Sequence, residues 1–213
     1  MSITIIDYGS GNLRSVAKAL ENAANNININ LKIKVTSDPK IIKESDKIIL
    51  PGQGSFRDCS LGIKKISGLE DELNEFVLVK KKPIFGICVG MQLFAKIGYE
   101  AQKTNGFGWI DGEVRKINNI NRTFKLPHMG WNQLNLKKDF SLFLNLKDKP
   151  HMYFIHSYEL ITKQKDCVVA TTNYGNPIIA AVAKDNIFGT QFHPEKSQKN
   201  GLLILENFLK WEL

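Results

Sequence analysis

The sequence contains only three cysteines, and this scarcity excludes two kinds of small stabilised protein. Cys59, Cys88 and Cys167 form an odd set without a C-x-x-C pair. A disulfide framework and a structural zinc site both need more cysteines or closer spacing. We therefore expect no metal ion and a reducing environment, the cytoplasm.

Long hydrophobic runs are also missing. No stretch approaches the roughly 18 apolar residues that a membrane-spanning helix needs. Residues 1–7 have neither the basic region nor the long apolar region of a secretory signal. The sequence therefore predicts no membrane association.

Arginine is scarce although the chain is basic. There are 29 basic and 21 acidic residues, a formal net charge of +8, but only four of the basic residues are arginines, and the lysines are scattered. Nucleic-acid-binding surfaces usually combine arginines with a basic stripe and interleaved aromatic residues. We interpret the excess charge as a solvated lysine surface and predict no nucleic-acid partner.

The composition of the sequence is that of an ordinary globular protein, and its pattern predicts alternating strands and helices. Its 213 residues are 43% hydrophobic, enough for one substantial core, so we predict a single domain over residues 1–213. Apolar runs at 3–7, 33–36, 47–50 and 83–87 predict strands, and stretches at 12–24, 69–79 and 89–97 predict helices. This alternation predicts an α/β fold with a mostly parallel central sheet flanked by helices.

The second half has a different pattern. Short β-prone segments at 109–117, 152–157, 167–173, 178–183 and 187–191 predict additional antiparallel strands. An amphipathic stretch at 197–211 predicts a closing helix.

Cys88 lies in the most informative segment of the chain. A β-prone run meets Gly86-Ile87-Cys88-Val89-Gly90 and continues into a predicted helix, which is the cysteine form of the nucleophile elbow. Glycines two residues before and after the nucleophile remove side chains that would clash in this sharp turn. The helix dipole and free N–H groups favour a thiolate there. The alternative interpretation is a buried cysteine between packing glycines.

His193 is the best candidate for the base that such a nucleophile needs. In an extended segment, residues i and i+2 project to the same side, so Glu195 can reach the His193 ring. Pro194 stiffens the link. A carboxylate on one ring nitrogen fixes the tautomer and leaves the other nitrogen free to accept the thiol proton. His128, His151 and His156 have no acidic residue at this spacing.

The oxyanion that forms during attack on a carbonyl needs N–H donors that are already oriented. The Val89 N–H, directly after the nucleophile, is one candidate. The second is expected from the glycine-rich turn Pro51-Gly52-Gln53-Gly54, which follows a predicted strand. A plain structural loop is the alternative for this turn.

Together these motifs resemble the class I, or triad, glutamine amidotransferases, and within them the glutaminase subunits of imidazole glycerol phosphate synthases. The Cys88 elbow, the His193–Glu195 pair and the Pro51 turn carry the resemblance to the wider family. Four further blocks narrow it: Asp7-Tyr8-Gly9-Ser10-Gly11-Asn12-Leu13, Pro127-His128-Met129-Gly130-Trp131-Asn132, Tyr153-Phe154-Ile155-His156-Ser157-Tyr158 and Gln191-Phe192-His193-Pro194-Glu195-Lys196-Ser197.

The resemblance implies a flavodoxin-like fold and a cofactor-free glutaminase. Cys88 would attack the side-chain amide of L-glutamine, and ammonia would pass to a separate cyclase subunit of (β/α)8 fold in a heterodimer. The implied substrate-binding residues are Gly52, Gln92, Glu100 and the backbone of Ser157 and Tyr158. The implied partner-interface residues are Asn12, Trp131 and Lys196.

Gln53 departs from the family pattern, in which a small apolar residue usually stands. The resemblance implies that a peptide near this position turns over before it supplies the second oxyanion donor, which couples hydrolysis to the partner. A backbone donor survives the change of side chain, but Gln53 can alter the cost of the turn.

Three alternatives stay open at the level of the sequence. The first is a related glutaminase subunit that feeds a sugar-modifying synthase. The second is a self-contained cysteine hydrolase or peptidase with the same triad. The third is a non-catalytic protein whose basic surface binds nucleic acid.

Overall fold

The computed structural model describes residues 1–119 and 124–212. Its strands are β1 Ser2–Ile6, β2 Lys32–Thr36, β3 Lys47–Leu50, β4 Ile84–Ile87, β5 Ala95–Gly98, β6 Thr104–Asn105, β7 Ile110–Lys116, β8 His128–Gln133, β9 Asn135–Leu136, β10 His151–His156, β11 Tyr158–Thr162, β12 Val168–Tyr174, β13 Asn176–Lys184 and β14 Ile187–Thr190. Its α-helices are α1 Leu13–Asn26, α2 Pro39–Lys43, α3 Phe56–Lys64, α4 Leu69–Asn74, α5 Val89–Gln92 and α6 Gln198–Lys210. A π-helical turn, Glu75–Val79, continues α4.

Eight strands form the central sheet in the order β2-β1-β3-β4-β14-β13-β12-β9. The first five are parallel, and the last three add antiparallel pairings. Every residue of β3, β4 and β14 is buried, which explains their continuous apolar runs, because a parallel sheet is covered on both faces. This architecture confirms the predicted α/β class with its additional antiparallel strands.

The position of β14 corrects one expectation. The sequence pattern places residues 187–191 among the antiparallel strands, but β14 runs parallel to β4 and antiparallel only to β13. Gly189 lies opposite Gly86 in this register. The strand that leads to His193 therefore lies beside the strand that leads to Cys88, and both end at the same edge of the sheet.

The predicted helix over residues 89–97 is wrong beyond Gln92. The carbonyls of Leu93 and Ala95 accept hydrogen bonds from the N–H groups of Phe107 and Gly108, at 2.8 and 3.1 Å. These long-range bonds replace the i to i−4 pattern of a helix. The chain instead forms β5, which joins a four-stranded sheet of order β11-β7-β5-β6.

A two-stranded sheet, β10-β8, lies apart from the other two. It brings the Trp131 strand beside the strand that precedes Ser157, with Trp131 opposite Tyr153. The sequence pattern predicts none of the following elements: α2, α3, β5, β6, β8, β9 and β11.

Lys47 fastens the last helix to the central sheet. Its side chain is buried, and Nζ donates to the carbonyls of Phe208, Leu209 and Trp211 at 2.8, 2.8 and 2.6 Å. The last carbonyls of a helix have no intrahelical partner. Lys47 therefore satisfies the end of α6 from a neighbouring strand. Among the described residues, no helix has both the length and the apolar character needed to cross a bilayer.

Candidate active site

Cys88 occupies a strained turn between β4 and α5. Its φ angle is +55°, a left-handed conformation that side-chain-bearing residues adopt rarely and that clusters at functional sites. A Cβ on Gly90 would overlap the Leu50 carbonyl oxygen, and a Cβ on Gly52 would overlap the Gly90 nitrogen. The elbow and the glycine-rich turn therefore pack backbone to backbone, which explains why both motifs need glycine.

The structure brings the three predicted catalytic side chains together. His193 Nδ1 lies 2.8 Å from Glu195 Oε1, and their side chains are 7% and 2% exposed. Burial by itself lowers the pKa of His193, but the hydrogen bonds and charges of Cys88 and Glu195 outweigh it and raise the pKa to about 10. The surroundings therefore favour the protonated imidazole, whose Nδ1 contacts the carboxylate while the ring lines the same cavity as Cys88.

One detail of the predicted geometry is wrong. His193 is extended, but Pro194–Lys196 form a 3-10 turn, so Glu195 reaches the ring across a tight turn and not along a strand. The His193 N–H donates to the Tyr153 carbonyl, and Ser197 Oγ donates to the His193 carbonyl, at 3.0 and 2.6 Å. These bonds hold the ring-bearing backbone from both sides.

A cavity of about 280 Å³ opens above Cys88. It is lined by ten of the predicted site residues: Gly52, Gln53, Cys88, Val89, Gln92, Glu100, Ser157, Tyr158, His193 and Lys196. A cavity of this size has room for a small molecule. Among residues 1–119 and 124–212, no group of three or more His, Cys, Asp or Glu side chains is placed to hold a metal ion.

The backbone of Gln53 is hydrogen-bonded to Ser10 in this conformation. Its N–H donates to Ser10 Oγ at 3.2 Å, and the Ser10 hydroxyl donates to the Gln53 carbonyl. The predicted second oxyanion donor is therefore already engaged. Val89, the other predicted donor, is the first residue of α5, where the N–H groups have no intrahelical acceptor.

The predicted substrate-binding residues hold the walls of the cavity. Glu100 Oε2 accepts the Phe56 N–H at 2.7 Å, which ties it to the start of α3. Gln92 Nε2 donates to the Tyr158 carbonyl at 2.9 Å. Burial, and secondarily the Glu100 charge, raises the pKa of Tyr158. Glu100 therefore places a carboxyl group in the wall of the cavity.

Two residues with polar side chains at the site, Gln191 and His156, have no role in the sequence-based prediction. Gln191 is fully buried, and its Nε2 lies 3.6 Å from Cys88 Sγ as a donor. It stands two residues before His193, a spacing that could have indicated a shared face. His156 lines the cavity, but no acidic residue two positions away marks it in the sequence.

The predicted interface residues fall in two places. Trp131 is 47% exposed, and its ring is 6.1 Å from that of Tyr153, over which Lys196 Nζ lies at 5.9 Å. Trp131 and Lys196 therefore share one surface at the rim of the cavity. Asn12 is exposed at the start of α1, where its side chain accepts the Ser15 N–H at 3.3 Å.

The matching family model and similar known proteins indicate the same family. The family model described as class-I glutamine amidotransferase matches residues 4–211. The chain is 53% identical over 209 residues to the Pelagibacter ubique protein named imidazole glycerol phosphate synthase subunit HisH, covering 98% of this chain and 99% of that one. It is 48% identical over the full length of both chains to a protein of the same name from Bradyrhizobium diazoefficiens.

Solved structures share the fold. A crystal structure described as a glutamine amidotransferase superposes with a TM-score of 0.68 at 18% identity, covering 96% of this chain and 98% of that one. A glutamine amidotransferase from Thermotoga maritima gives a TM-score of 0.62, also at 18% identity, covering 92% and 76%.

Proposed function

The chain belongs to the class I glutamine amidotransferases, and we propose that it is the glutaminase subunit of an imidazole glycerol phosphate synthase in histidine biosynthesis. The proposal is supported by full-length relatives of that name at 48 to 53% identity. The single observation that carries the chemistry is the buried His193–Glu195 pair, with His193 and Cys88 lining one small cavity.

In the first half of the proposed reaction, Cys88 Sγ attacks the side-chain carbonyl carbon of L-glutamine. The carbonyl oxygen becomes an oxyanion next to the Val89 N–H. His193 then donates its ring proton to the amide nitrogen as the C–N bond breaks, and ammonia leaves. Glu195 stabilises the imidazolium before this transfer. The product is a glutamyl thioester on Cys88.

In the second half, a water molecule gives a proton to His193 and attacks the thioester carbon, so that glutamate leaves and Cys88 returns as a thiolate. For the Gln53 N–H to serve as the second oxyanion donor, it must break its hydrogen bond with Ser10 Oγ. Each oxyanion donor contributes roughly 3 kcal/mol to the transition state. The described conformation is therefore a slow form of the enzyme.

The partner in this proposal is a cyclase subunit of (β/α)8 fold, which uses ammonia to form imidazole glycerol phosphate and an aminoimidazole carboxamide ribonucleotide. The proposed docking surface contains Trp131, Lys196 and Asn12. Met129 and Ile155 lie opposite one another in the β8–β10 sheet and are 63% and 37% exposed. This apolar face beside the cavity suits a protein partner.

Removing the nucleophile tests the proposal. Cys88→Ala should abolish glutamate release from L-glutamine with or without the cyclase subunit, whereas Cys167→Ala, a buried thiol on another element, should retain it. Retained hydrolysis in Cys88→Ala would exclude the assignment.

The partner is tested separately. The isolated chain should release glutamate slowly, and the cyclase subunit with its nucleotide ligand should accelerate it. Equal rates with and without the partner would indicate a self-contained hydrolase. Acceleration by a sugar-modifying synthase in place of the cyclase would indicate the related pathway.

A further inference from the structure

A chain of buried hydrogen bonds runs from the β8–β10 sheet to the wall of the cavity. Asn132 Nδ2 lies 3.1 Å from His128 Nε2, His128 Nδ1 lies 2.9 Å from His156 Nε2, and His156 Nδ1 lies 2.9 Å from the Tyr158 carbonyl oxygen. The two imidazoles are 2% and 6% exposed. The proposed reaction makes no use of either ring.

The two ends of this series of hydrogen bonds, Asn132 and the Tyr158 carbonyl, determine which ring nitrogen of each histidine carries the hydrogen. The Tyr158 carbonyl can only accept, so His156 Nδ1 carries the hydrogen and His156 Nε2 accepts from His128 Nδ1–H. His128 Nε2 is then an acceptor, and Asn132 Nδ2 donates to it. The orientation of the Asn132 amide agrees, because Nδ2 also donates to the Asn173 carbonyl at 2.9 Å and Oδ1 accepts the Gln133 N–H at 2.8 Å.

Both rings are neutral in this arrangement. Burial lowers the pKa of His128 to about 4 and that of His156 to about 3. The His128 ring is stacked between Phe154 and Tyr174, with centroid distances of 4.6 and 4.0 Å. The surrounding rings hold His128 in the plane that aims Nδ1 at His156.

The series of hydrogen bonds ends at the backbone of Tyr158, which lines the cavity. The Tyr158 carbonyl accepts two hydrogen bonds, from His156 Nδ1 and from Gln92 Nε2, both at 2.9 Å. Two donors use both lone pairs of the oxygen and fix the direction of its peptide. This oxygen belongs to the peptide that joins Tyr158 to Glu159, so the backbone at Tyr158, part of the proposed contact for glutamine, takes its orientation partly from a histidine behind it.

We propose that His156 is a positioning residue for L-glutamine and that His128 and Asn132 set its tautomer, so that this series of hydrogen bonds orients the backbone at Tyr158 for substrate. This inference rests on the proposed glutaminase function. His128 and His156 would then have a role in substrate binding although neither has, among the described residues, an acidic partner of the kind that Glu195 is for His193.

Two substitutions of His156 separate the Tyr158 bond from mere filling of space. In His156→Asn, Nδ2 takes the position of the ring Nδ1 and can still donate to the Tyr158 carbonyl. In His156→Gln, the amide lies at the level of Nε2 and can still accept from His128, but the donor to Tyr158 is lost. His128→Phe keeps the ring stack and removes the donor to His156.

L-glutamine binding should be measured by calorimetry in the synthase complex on a Cys88→Ala background, beside melting temperatures. We expect His156→Gln and His128→Phe to weaken binding about three- to tenfold, the effect of one neutral hydrogen bond, and His156→Asn to recover most of it. In the complex with Cys88 present, His156→Gln and His128→Phe should raise KM and leave kcat within about twofold. His151→Gln, an exposed histidine of the same strand, is the control and should change nothing.

The outcomes distinguish the two proposals. If the Cys88→Ala parent itself fails to bind L-glutamine, the glutaminase assignment is wrong. If the parent binds and His156→Gln, His156→Asn and His128→Phe all bind equally well, the positioning role is wrong and the glutaminase assignment stands. If His156→Gln does not fold, unchanged binding in His128→Phe overturns the role by itself.

Discussion

Replacing Glu195 with glutamine should disable the proposed glutaminase without unfolding the chain. The carboxylate Oε1 lies 2.8 Å from His193 Nδ1, and only 2% of the Glu195 side chain is exposed. Glutamine has nearly the same shape, so the packing of the site is preserved. The negative charge that stabilises the protonated ring is lost in either orientation of the amide.

The size of the effect follows from what the charge does. A hydrogen bond to a charged group contributes about 1.5–3 kcal/mol, and each 1.4 kcal/mol is about tenfold in rate, so loss of the charge alone lowers kcat about 10- to 100-fold. If the new NH2 group donates to Nδ1, the proton moves to the nitrogen that faces Cys88 and blocks transfer from the thiol. A wrong tautomer of this kind costs up to about 10⁴-fold in a serine-protease triad.

The assay is steady-state glutamate release by the synthase complex, with kcat and KM determined separately. We expect kcat to fall between about 10- and 10⁴-fold, with KM little changed, because Glu195 does not line the cavity. Glu44→Gln, at an exposed position, is the matched control. A Glu195→Gln enzyme with kcat within twofold of the parent would refute the proposed role of the carboxylate.

Three further predictions concern the fold. Lys47→Met should lower the free energy of unfolding in urea by about 3 kcal/mol, since three buried carbonyls each lose a donor, and Lys18→Met, at an exposed position, should have no effect. Gly90→Ala should lower the melting temperature sharply because its Cβ meets the Leu50 carbonyl; an unchanged melting temperature would show that the elbow can widen. Burial raises the pKa of Glu159 from 4.5 to about 7, so the folded chain binds more protons than the unfolded chain between these values and stability falls as the pH rises through them. Glu159→Gln should therefore raise the melting temperature at pH 8 and leave it unchanged at pH 4.5.

Much of the fold could be predicted because the relevant signals are local. Continuous apolar runs identified β1, β3 and β4, since strands of a parallel sheet are buried on both faces. The start of α3 also had a local signal that was not used: Ser55 Oγ accepts the Asp58 N–H at 3.0 Å, as a serine three residues before an acidic residue favours. The strand β5 had no such signal, because its residues leave the helix only through bonds to segments far along the chain.

The site divides in the same way. The roles predicted for Cys88, His193 and Glu195 followed from motif spacing, whereas most of the substrate and interface residues depended on resemblance to a family. The direction of the Gln53 peptide could not be predicted, since it depends on the Ser10 hydroxyl, which lies on another loop. His156 was missed because its partners are a carbonyl and a second histidine, and no sequence spacing encodes either contact.

The central location of β14 has a consequence for biosynthesis of the protein on the ribosome. Among the eight described strands of this sheet, β14 comes last in chain order, but it inserts between β4 and β13 in the middle of the sheet. The thiol therefore emerges long before its base, and the two meet only when the sheet is completed. A prematurely terminated chain that ends before β14 carries the cysteine without its activating partner, so such fragments should be unable to consume glutamine.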